Sequence, residues 1–344
     1  MFSQISDTMK PTDFSKYLTN FLTRYLSHER GASTNTITAY RDTFVLLIMF
    51  MEQKKIKAHK LTLEKITKEV VVEFLDWIQT KRKCCNSTRN ARLAAIHSFF
   101  RYLQYQNPDN LYGYQKILSI KMKKAEEVPM CYLSIDGITL LLQQPDTTTP
   151  KGRRDLALLS LMYDTGSRVQ ELIDLTPSMI RLDKPSTIRI TGKGNKTRII
   201  PMLEGQVNLL QNYMNEHKLL EPHANLYPLF YNSRQEKLTR AGVNHILIKY
   251  AGIARMKDSK LIPEKISCHS LRHSKAFHLL QAGVNLVYIR DILGHVSVQT
   301  TEIYAKADSR QKREAIEKAY VDVHPKENPT WLTNNNLLEW LKSF

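Results

Sequence analysis

Cysteine is scarce in this chain of 344 residues: Cys84, Cys85, Cys131 and Cys268 stand adjacent or far apart and form neither a CxxC pair nor a disulfide ladder. That pattern excludes a disulfide scaffold and points to a reduced compartment. No run approaches the ~18 apolar residues that a membrane span needs. The segment from Met1 to Asp13 is polar and lacks the apolar core of a signal peptide, so a cytosolic protein is expected. There is no internal repeat and no low-complexity tract. Acidic residues are the other shortage. Asp and Glu number 33 against 50 Lys and Arg, a formal net charge of +17 on a protein with an ordinary 42% of hydrophobic residues. Such an excess points to a polyanionic partner, nucleic acid first, because phosphate neutralisation dominates binding to it. The length provides material for two domains, each with its own core.

The stretch that organises the rest runs from His269-Ser-Leu-Arg272-His273 through Leu293-Gly-His295 to Thr300-Thr-Glu-Ile-Tyr304. An apolar helical pattern lies between these residues (Ala276, Phe277, Leu279, Leu280, then Val284, Val287, Ile289, Ile292), so one folded core can converge them. Arginine offers a planar fork matched to phosphate oxygens. Histidine donates hydrogen bonds or carries protons, and a tyrosine hydroxyl can be a covalent nucleophile. Taken singly, each residue also has a structural reading as a cap or core residue. A metal reading exists too: His269 and His273 lie four apart, with His295 as a third ligand. Ser270 stands where the helical zinc motif has Glu, and no cysteine pair completes a site.

Asp13 to about Pro108 reads as a helical bundle. Asp13 caps a first helix with Phe14, Tyr17, Leu18, Phe21, Leu22, Tyr25 and Leu26 at helical spacing, and a second begins near Ser33 or Thr34. A third spans Lys68 to Lys81, and a fourth runs from about Ser87 to Gln106. Residues 1–125 hold 21 basic against 10 acidic residues, which concentrates the positive charge in the smaller part. Lys81, Arg82, Lys83, Arg89, Arg92 and Arg101 crowd the start and the exposed side of the fourth helix and are candidate DNA contacts, as are Lys121, Lys123 and Lys124. From Pro108 to Leu133 the chain is polar and basic without sustained periodicity, as a linker would be.

The second domain opens with Ser134 as a helix cap. Arg154 to Met162 forms a buried helix that ends at Thr165-Gly166-Ser167-Arg168, where glycine suits a left-handed turn. Arg168 and Glu171, three apart on the next helix, form either a local ion pair or an arginine with its orienting acid. Thr187 to Thr191, a turn at Gly192-Lys193-Gly194-Asn195-Lys196, and Thr197 to Pro201 make a hairpin. Gly192-Lys193-Gly194 lacks Walker A spacing, so nucleotide hydrolysis gets little support.

Five strings in this order and spacing resemble the tyrosine recombinases, the phage integrase and Xer-like group: Thr165-Gly-Ser-Arg168-Val-Gln-Glu171-Leu, Gly192-Lys193-Gly-Asn-Lys-Thr-Arg, His269-Ser-Leu-Arg272-His, Leu293-Gly-His295-Val-Ser and Thr300-Thr-Glu-Ile-Tyr304. The resemblance covers about Asp13 to Ala319. It implies a mainly α fold with a small β-sheet: an N-terminal helical core-binding, SAM-like domain at 13–110 after a short extension at 1–12, a linker at 111–132, a mixed α/β catalytic domain at 133–320, and a tail at 321–344. Carried over residue by residue, it makes Arg168 and Arg272 the phosphate-holding arginines, Lys193 the acid for the leaving 5′ oxygen, His269 the acceptor of the tyrosine proton, His295 a phosphate donor, Tyr304 the nucleophile and Glu171 the supporting acid. Ser167 departs from the apolar residue common before the first arginine, and Ala305-Lys306 from the polar residue and histidine common after the nucleophile.

The resemblance further implies a 3′-phosphotyrosyl intermediate, no cofactor and no metal, double-stranded DNA with inverted core sites as partner, a homo-tetramer on two duplexes, and no membrane partner. It leaves room for directionality or accessory factors. A bacterial, nucleoid-associated cytoplasmic protein is expected, and a separate arm-site-binding domain is not. The biological reading favours the integrase or transposase of a mobile element, with a chromosome or plasmid dimer resolvase as alternative. A type IB topoisomerase and a catalytically idle DNA-binding regulator stand further off. Lys312 to Tyr320 reads as a helix, Pro325 and Pro329 as a link, and Asn334 to Phe344 as a terminal helix with an apolar stripe of Leu337, Trp340, Leu341 and Phe344; the resemblance implies that it docks on a neighbouring subunit, with packing on its own domain as the alternative.

Overall fold

The computed structural model describes residues 11–125, 130–295, 297, 299–307 and 337–342. The chain divides into two compact units, Met1–Val128 and Pro129–Phe344.

In the first unit, α1 (Asp13–Asn20) is capped by Thr12, which accepts from the Ser15 amide, rather than by Asp13. The Asp13 carboxylate instead accepts from the amides of Phe14 and, far along the chain, Leu63. The helix continues as wider π-helical turns over Phe21–Glu29. Ser33 and Thr67 cap α2 (Thr34–Gln53) and α3 (Lys68–Thr80) through their hydroxyls. The long α4 (Asn86–Gln106) packs against α2, α3 and α5 (Leu111–Leu118). The core is aromatic: the Phe99 ring lies 5.1 Å from Phe44, 5.3 Å from Phe21 and 6.0 Å from Phe14, mostly edge to face.

The helix α5 corrects the reading of 111–132 as a linker. Tyr114, Ile117 and Ile120 are buried, a spacing of three that the surrounding lysines obscure. Asn107 donates to the Tyr114 hydroxyl, and a His97 ring nitrogen bonds the Ile117 carbonyl at 3.1 Å. Beyond α5 the chain stays fastened to α4: Asn90 bonds both the carbonyl and the amide of Lys123, and Asn86 donates to the Lys124 carbonyl. Glu126, Glu127 and Pro129, also part of the expected connector, lie outside the described residues.

In the second unit, Ser134 caps α6 (Ile135–Leu142), and Thr149 caps α7 (Pro150–Thr165). Next come the short α8 (Val169–Ile173) and a three-stranded antiparallel sheet in the order β1 (Ile180–Arg181), β2 (Thr187–Thr191), β3 (Thr197–Pro201). Ile188 pairs with Ile200 and Ile190 with Arg198. Ile188 and Ile190 point into the core while Arg189 and Thr191 face out, the alternation of a half-buried strand. Two helices beyond those expected, α9 (Glu204–Glu216) and α10 (Arg240–Lys257), pack on α7 and α8 respectively. The unit closes with α11 (Cys268–Gln281), α12 (Leu286–Leu293) and α13 (Gln299–Ala307), which contact one another.

A terminal helix, α14 (Leu337–Lys342), falls within the expected tail, with Leu341 exposed. The expected helix 312–320, the prolines 325 and 329, and Phe344 lie outside the described residues, as do the side chains of Leu337 and Trp340. No helix among the described residues is long and apolar enough to cross a membrane.

Candidate active site

On α11, His269, Arg272 and His273 share one face through their spacing of three and four. Arg272 is 1% exposed. Its guanidinium donates from Nη1 to the Gly166 carbonyl and from Nη2 to the Leu293 carbonyl, each at 2.7 Å. These carbonyls belong to the C-terminal ends of α7 and α12, where the helical hydrogen-bond ladder runs out and the helix dipole is negative. Both helices end in a left-handed glycine, Gly166 at φ 56° and Gly294 at φ 65°, so the caps that stop the helices also aim their last carbonyls at the arginine. A guanidinium has five N–H donors; the ones left over are available to a ligand.

Arg168, the residue just before α8, is held by Glu171. The carboxylate accepts from Arg168 Nη1 at 2.7 Å and from the Arg168 amide at 3.0 Å. Its second partner is Arg198 of β3, whose Nη2 donates to Glu171 Oε2 at 2.7 Å and whose Nε donates to the Ile292 carbonyl at 2.8 Å. One buried carboxylate therefore joins two guanidinium groups, and Arg198 ties the sheet to the end of α12. Burial opposes ionisation of Glu171, but the hydrogen bonds from Arg198 and Arg168 hold its carboxyl below the usual range. The fit around this group is close: a Cβ on Gly192 would meet Glu171 Oε1 at 2.8 Å, and one on Gly294 would meet Arg198 Nη1 at 2.8 Å.

Tyr304 on α13 is buried with Ala276, Leu280, Ile289 and Leu293 in a small core of its own. Its hydroxyl is 3.0 Å from His273 Nδ1. The His295 ring stacks parallel to the Tyr304 ring at 6.4 Å between centroids and bonds the buried Thr301 hydroxyl through Nδ1 at 2.9 Å. His269 stands edge-on to His273 at 4.7 Å between centroids.

The field of the site is positive. Burial, then the charge of Arg168, pushes Arg272 down to about 10. Burial pushes His273 down to about 4, with His269 and Arg272 adding to it, and His295 down to about 4, with Arg272 and Arg168 adding to it. Tyr304 is raised by burial, and the charges of Arg272 and Arg168 work against that rise. Glu171 thus answers two of the three guanidinium groups, Arg272 rests on neutral carbonyls, and an anion would relieve the repulsion among them. Among the described residues, no group of three or more His, Cys, Asp or Glu is placed to hold a metal ion.

Comparison with known proteins identifies this arrangement. Residues 132–311 match the phage integrase family, and residues 19–107 match the phage integrase N-terminal SAM-like domain. The chain belongs to the phage integrase family. Over 335 residues it is 33% identical to "Putative integrase/recombinase y4rC" of Sinorhizobium fredii, covering 97% of this chain and 99% of the relative. It is also 33% identical over 305 residues to the tyrosine recombinase XerD of Listeria monocytogenes, covering 88% of this chain and 96% of that one. Among solved structures, the XerH site-specific recombinase bound to difH substrate superposes with a TM-score of 0.65 at 26% identity, covering 87% of this chain and 84% of that chain. The protein is therefore a tyrosine recombinase, an enzyme of site-specific DNA recombination.

In this recombinase the residues read from the sequence are distributed unevenly. Arg168 and Glu171 come from the start of α8, His269 and Arg272 from α11, His295 from the turn after α12 and Tyr304 from α13. Lys193 lies in the single turn Lys193–Asn195 at the hairpin tip, with its side chain outside the described residues. Beside it, a cavity of about 370 Å³ is lined by Gly192, Lys196, Arg198, Arg290, Gly294 and His295. Sequence reasoning missed the contacts made by Arg198 and Thr301, and it gave the tyrosine's partnership to His269 where the structure has His273. The signal for Arg198 was present: it ends the hairpin string Gly192-Lys193-Gly-Asn-Lys-Thr-Arg.

The candidate DNA contacts of the first unit divide. Lys81, Arg82, Lys83, Arg101, Lys121, Lys123 and Lys124 are exposed. Arg82 lies over the Trp77 ring, and Lys123 donates to Gln79. Arg89 is buried, contrary to its expected place on the open side of α4. It starts the inward stripe that continues through Leu93, Ile96 and Phe100, so the helical repeat turns it toward the core. Arg92 is half-buried and donates to the Ala39 carbonyl and the Thr43 hydroxyl, bracing α2 against α4.

Proposed function

We propose that this recombinase cuts and rejoins DNA through a 3′-phosphotyrosyl intermediate, with Tyr304 as nucleophile. The observation that carries the reading is that the buried Tyr304 hydroxyl lies 3.0 Å from Nδ1 of His273, the residue next to Arg272, while Arg272 and Arg168 are each braced by hydrogen bonds that leave donors free for a phosphate. These arginines would hold the non-bridging oxygens and meet the charge that grows in the transition state. Lys193 would protonate the departing 5′ oxygen, and His295 would hydrogen-bond the phosphate. Glu171 would fix the pose of Arg168. Because the phosphotyrosyl bond conserves the energy of the phosphodiester, rejoining is the same reaction run backwards with a partner's 5′-hydroxyl, and neither a nucleotide cofactor nor a metal is called for.

The partner would be double-stranded DNA with inverted core sites, gripped in part by Lys81, Arg82, Lys83, Arg101 and Lys121 to Lys124. Four such sites on two duplexes make a tetramer, with α14 docking on a neighbouring subunit, and the enzyme would work in the bacterial cytoplasm on nucleoid DNA. The integrase or transposase of a mobile element is the preferred role. The match to y4rC, an integrase/recombinase by name, runs over 97% of the chain, whereas the match to XerD leaves about a tenth of it unpaired. The dimer-resolvase reading is favoured by that same likeness to XerD.

A suicide substrate, nicked so that the cleaved end diffuses away, tests the chemistry. The wild-type chain should trap a covalent adduct and the Tyr304→Phe chain none; strand joining retained by the variant would overturn the reading. Deleting 334–344 should reduce the complex on paired sites to smaller species, and an unchanged tetramer would sink the docking of α14.

A further inference from the structure

Two imidazoles, His273 and His295, lie against the nucleophile, a third, His269, lies against His273, and their partners differ. His295 spends Nδ1 on the Thr301 hydroxyl. His269 lines, with Arg168, Gln170, Arg240, Asn244 and Cys268, a cavity of about 430 Å³. His273 has Nδ1 3.0 Å from the Tyr304 hydroxyl, with its ring tilted 58° to the phenol at 5.7 Å. Both ends of that contact are fixed. His273 follows Arg272, whose fork is clamped by two helix-end carbonyls, and Tyr304 is packed on four apolar residues.

We infer that His273, rather than His269, aims the Tyr304 hydroxyl and takes its proton as the phenolic oxygen attacks phosphorus. The inference rests on Tyr304 being the nucleophile. The transfer uses the neutral tautomer with its hydrogen on Nε2, which leaves the Nδ1 lone pair facing the Tyr304 hydroxyl. As the bond from Tyr304 Oη to phosphorus forms, the phenolic proton passes to His273 Nδ1. The bond from phosphorus to the 5′ oxygen breaks, and that oxygen receives a proton from the acid assigned to Lys193. Each step reverses when a 5′-hydroxyl attacks the phosphotyrosine. His269, edge-on to His273 and sharing a cavity with Arg168, is left to the phosphate.

The charges around His273 bear on this transfer. Facing it are His269 and Arg272 of its own helix and Tyr304 of α13; burial first, then His269 and Arg272, disfavour an imidazolium. A phosphodiester held by Arg168 and Arg272 brings negative charge to that point and favours the imidazolium.

The test is single-turnover adduct formation on the suicide substrate, with duplex binding measured on the same preparations as a check of folding. His273→Ala should lose about 10²-fold or more in rate and recover when imidazole is added, while His269→Ala should not respond to imidazole. If His273→Ala cleaves at the wild-type rate, or imidazole restores His269→Ala instead, the inference is overturned. His273→Gln can hold the hydroxyl but cannot take its proton, which keeps the question answerable if the alanine chain fails to fold. Its defect should shrink at least tenfold when position 304 carries a fluorinated tyrosine of greater acidity, and an unchanged defect would overturn the proposal. Absence of an adduct from the wild-type chain would sink the nucleophile reading itself, and the inference with it.

Discussion

The two units bury different things. Around Phe99 the first unit stacks rings on rings; its buried polar side chains are few, Thr43, Arg89, His97 and Ser98. The second unit has an apolar core as well, but it also buries Asp155, Glu171, Arg272, His278 and a series of hydroxyls. Removing a guanidinium or carboxylate from water is costly unless hydrogen bonds replace the lost hydration. Here helix-end carbonyls and opposite charges replace it. The first unit keeps most of its charge outside, where it can meet a polyanion, and derives its stability from apolar burial. The second gives up stability to hold a few charges rigidly inside, as preorganised catalysis requires.

Breaking this contrast should have opposite signatures in the two units. The largest effect is expected at Arg272. Arg272→Gln removes phosphate donors and leaves the Gly166 and Leu293 carbonyls short of partners, so adduct formation should fall by about 10³-fold, while duplex binding and the unfolding transition of the first unit stay unchanged. The reverse is expected at the centre of the aromatic core. Phe99→Ala should destabilise the first unit by about 3–5 kcal/mol, seen as an early transition in denaturant, and should weaken duplex binding. Because the chain has two compact units, the two transitions must be followed separately rather than fitted as one. A loss of equal size in both units after either substitution would show that the contrast is false.

What could be read from the sequence follows the same division. Helices with strong apolar periodicity, α2, α3, α4 and α7, were legible because burial of one face dictates their spacing. The left-handed end at Gly166 and the hairpin at 187–201 were legible because few residues tolerate those turns. Arg168, Arg272 and Tyr304 were legible because their strings resemble a family. The rest depended on contacts between distant segments. Arg89 looked like a surface cation because its residue type outweighed its position in the stripe of Leu93 and Ile96. The helix α5 was hidden by its shortness, between the Pro108-Asp-Asn turn before it and the basic run of Lys121, Lys123 and Lys124 after it. The choice between His269 and His273 is set by where α13 lays Tyr304 against α11, and no spacing along the chain encodes that.

Acid sharpens the comparison with a smaller effect. His273 and His295 are held near 4, below the 6.5 of a free imidazole. Between those values the unfolded chain binds protons that the folded site refuses, so stability is full above about pH 6.5 and falls as the pH drops toward 4. The first unit has one histidine shifted the same way, His97, depressed by burial. The second unit should therefore lose stability more steeply over this window, and replacing both His273 and His295 by Gln should flatten its curve. Comparing the two chains isolates the imidazoles from Glu171, whose contribution is lost as the pH falls from the ordinary carboxylate range through its own depressed pKa. Parallel curves for the wild-type and double-variant chains would show that the imidazoles are not kept neutral by the fold.

The smallest expected effect concerns Ser167, between the left-handed turn at Gly166 and Arg168. It is 1% exposed, and its hydroxyl oxygen has no hydrogen-bond partner among the described residues. A buried hydroxyl without a partner forfeits its hydration for nothing in return, so Ser167→Ala should stabilise the second unit by about 1 kcal/mol and leave adduct formation unchanged. The position resembles one that is commonly apolar in the family, which fits that sign. A drop in adduct formation would instead mean that the hydroxyl finds its partner on the DNA, and that this polar atom belongs with the arginines among the charges and dipoles buried for function.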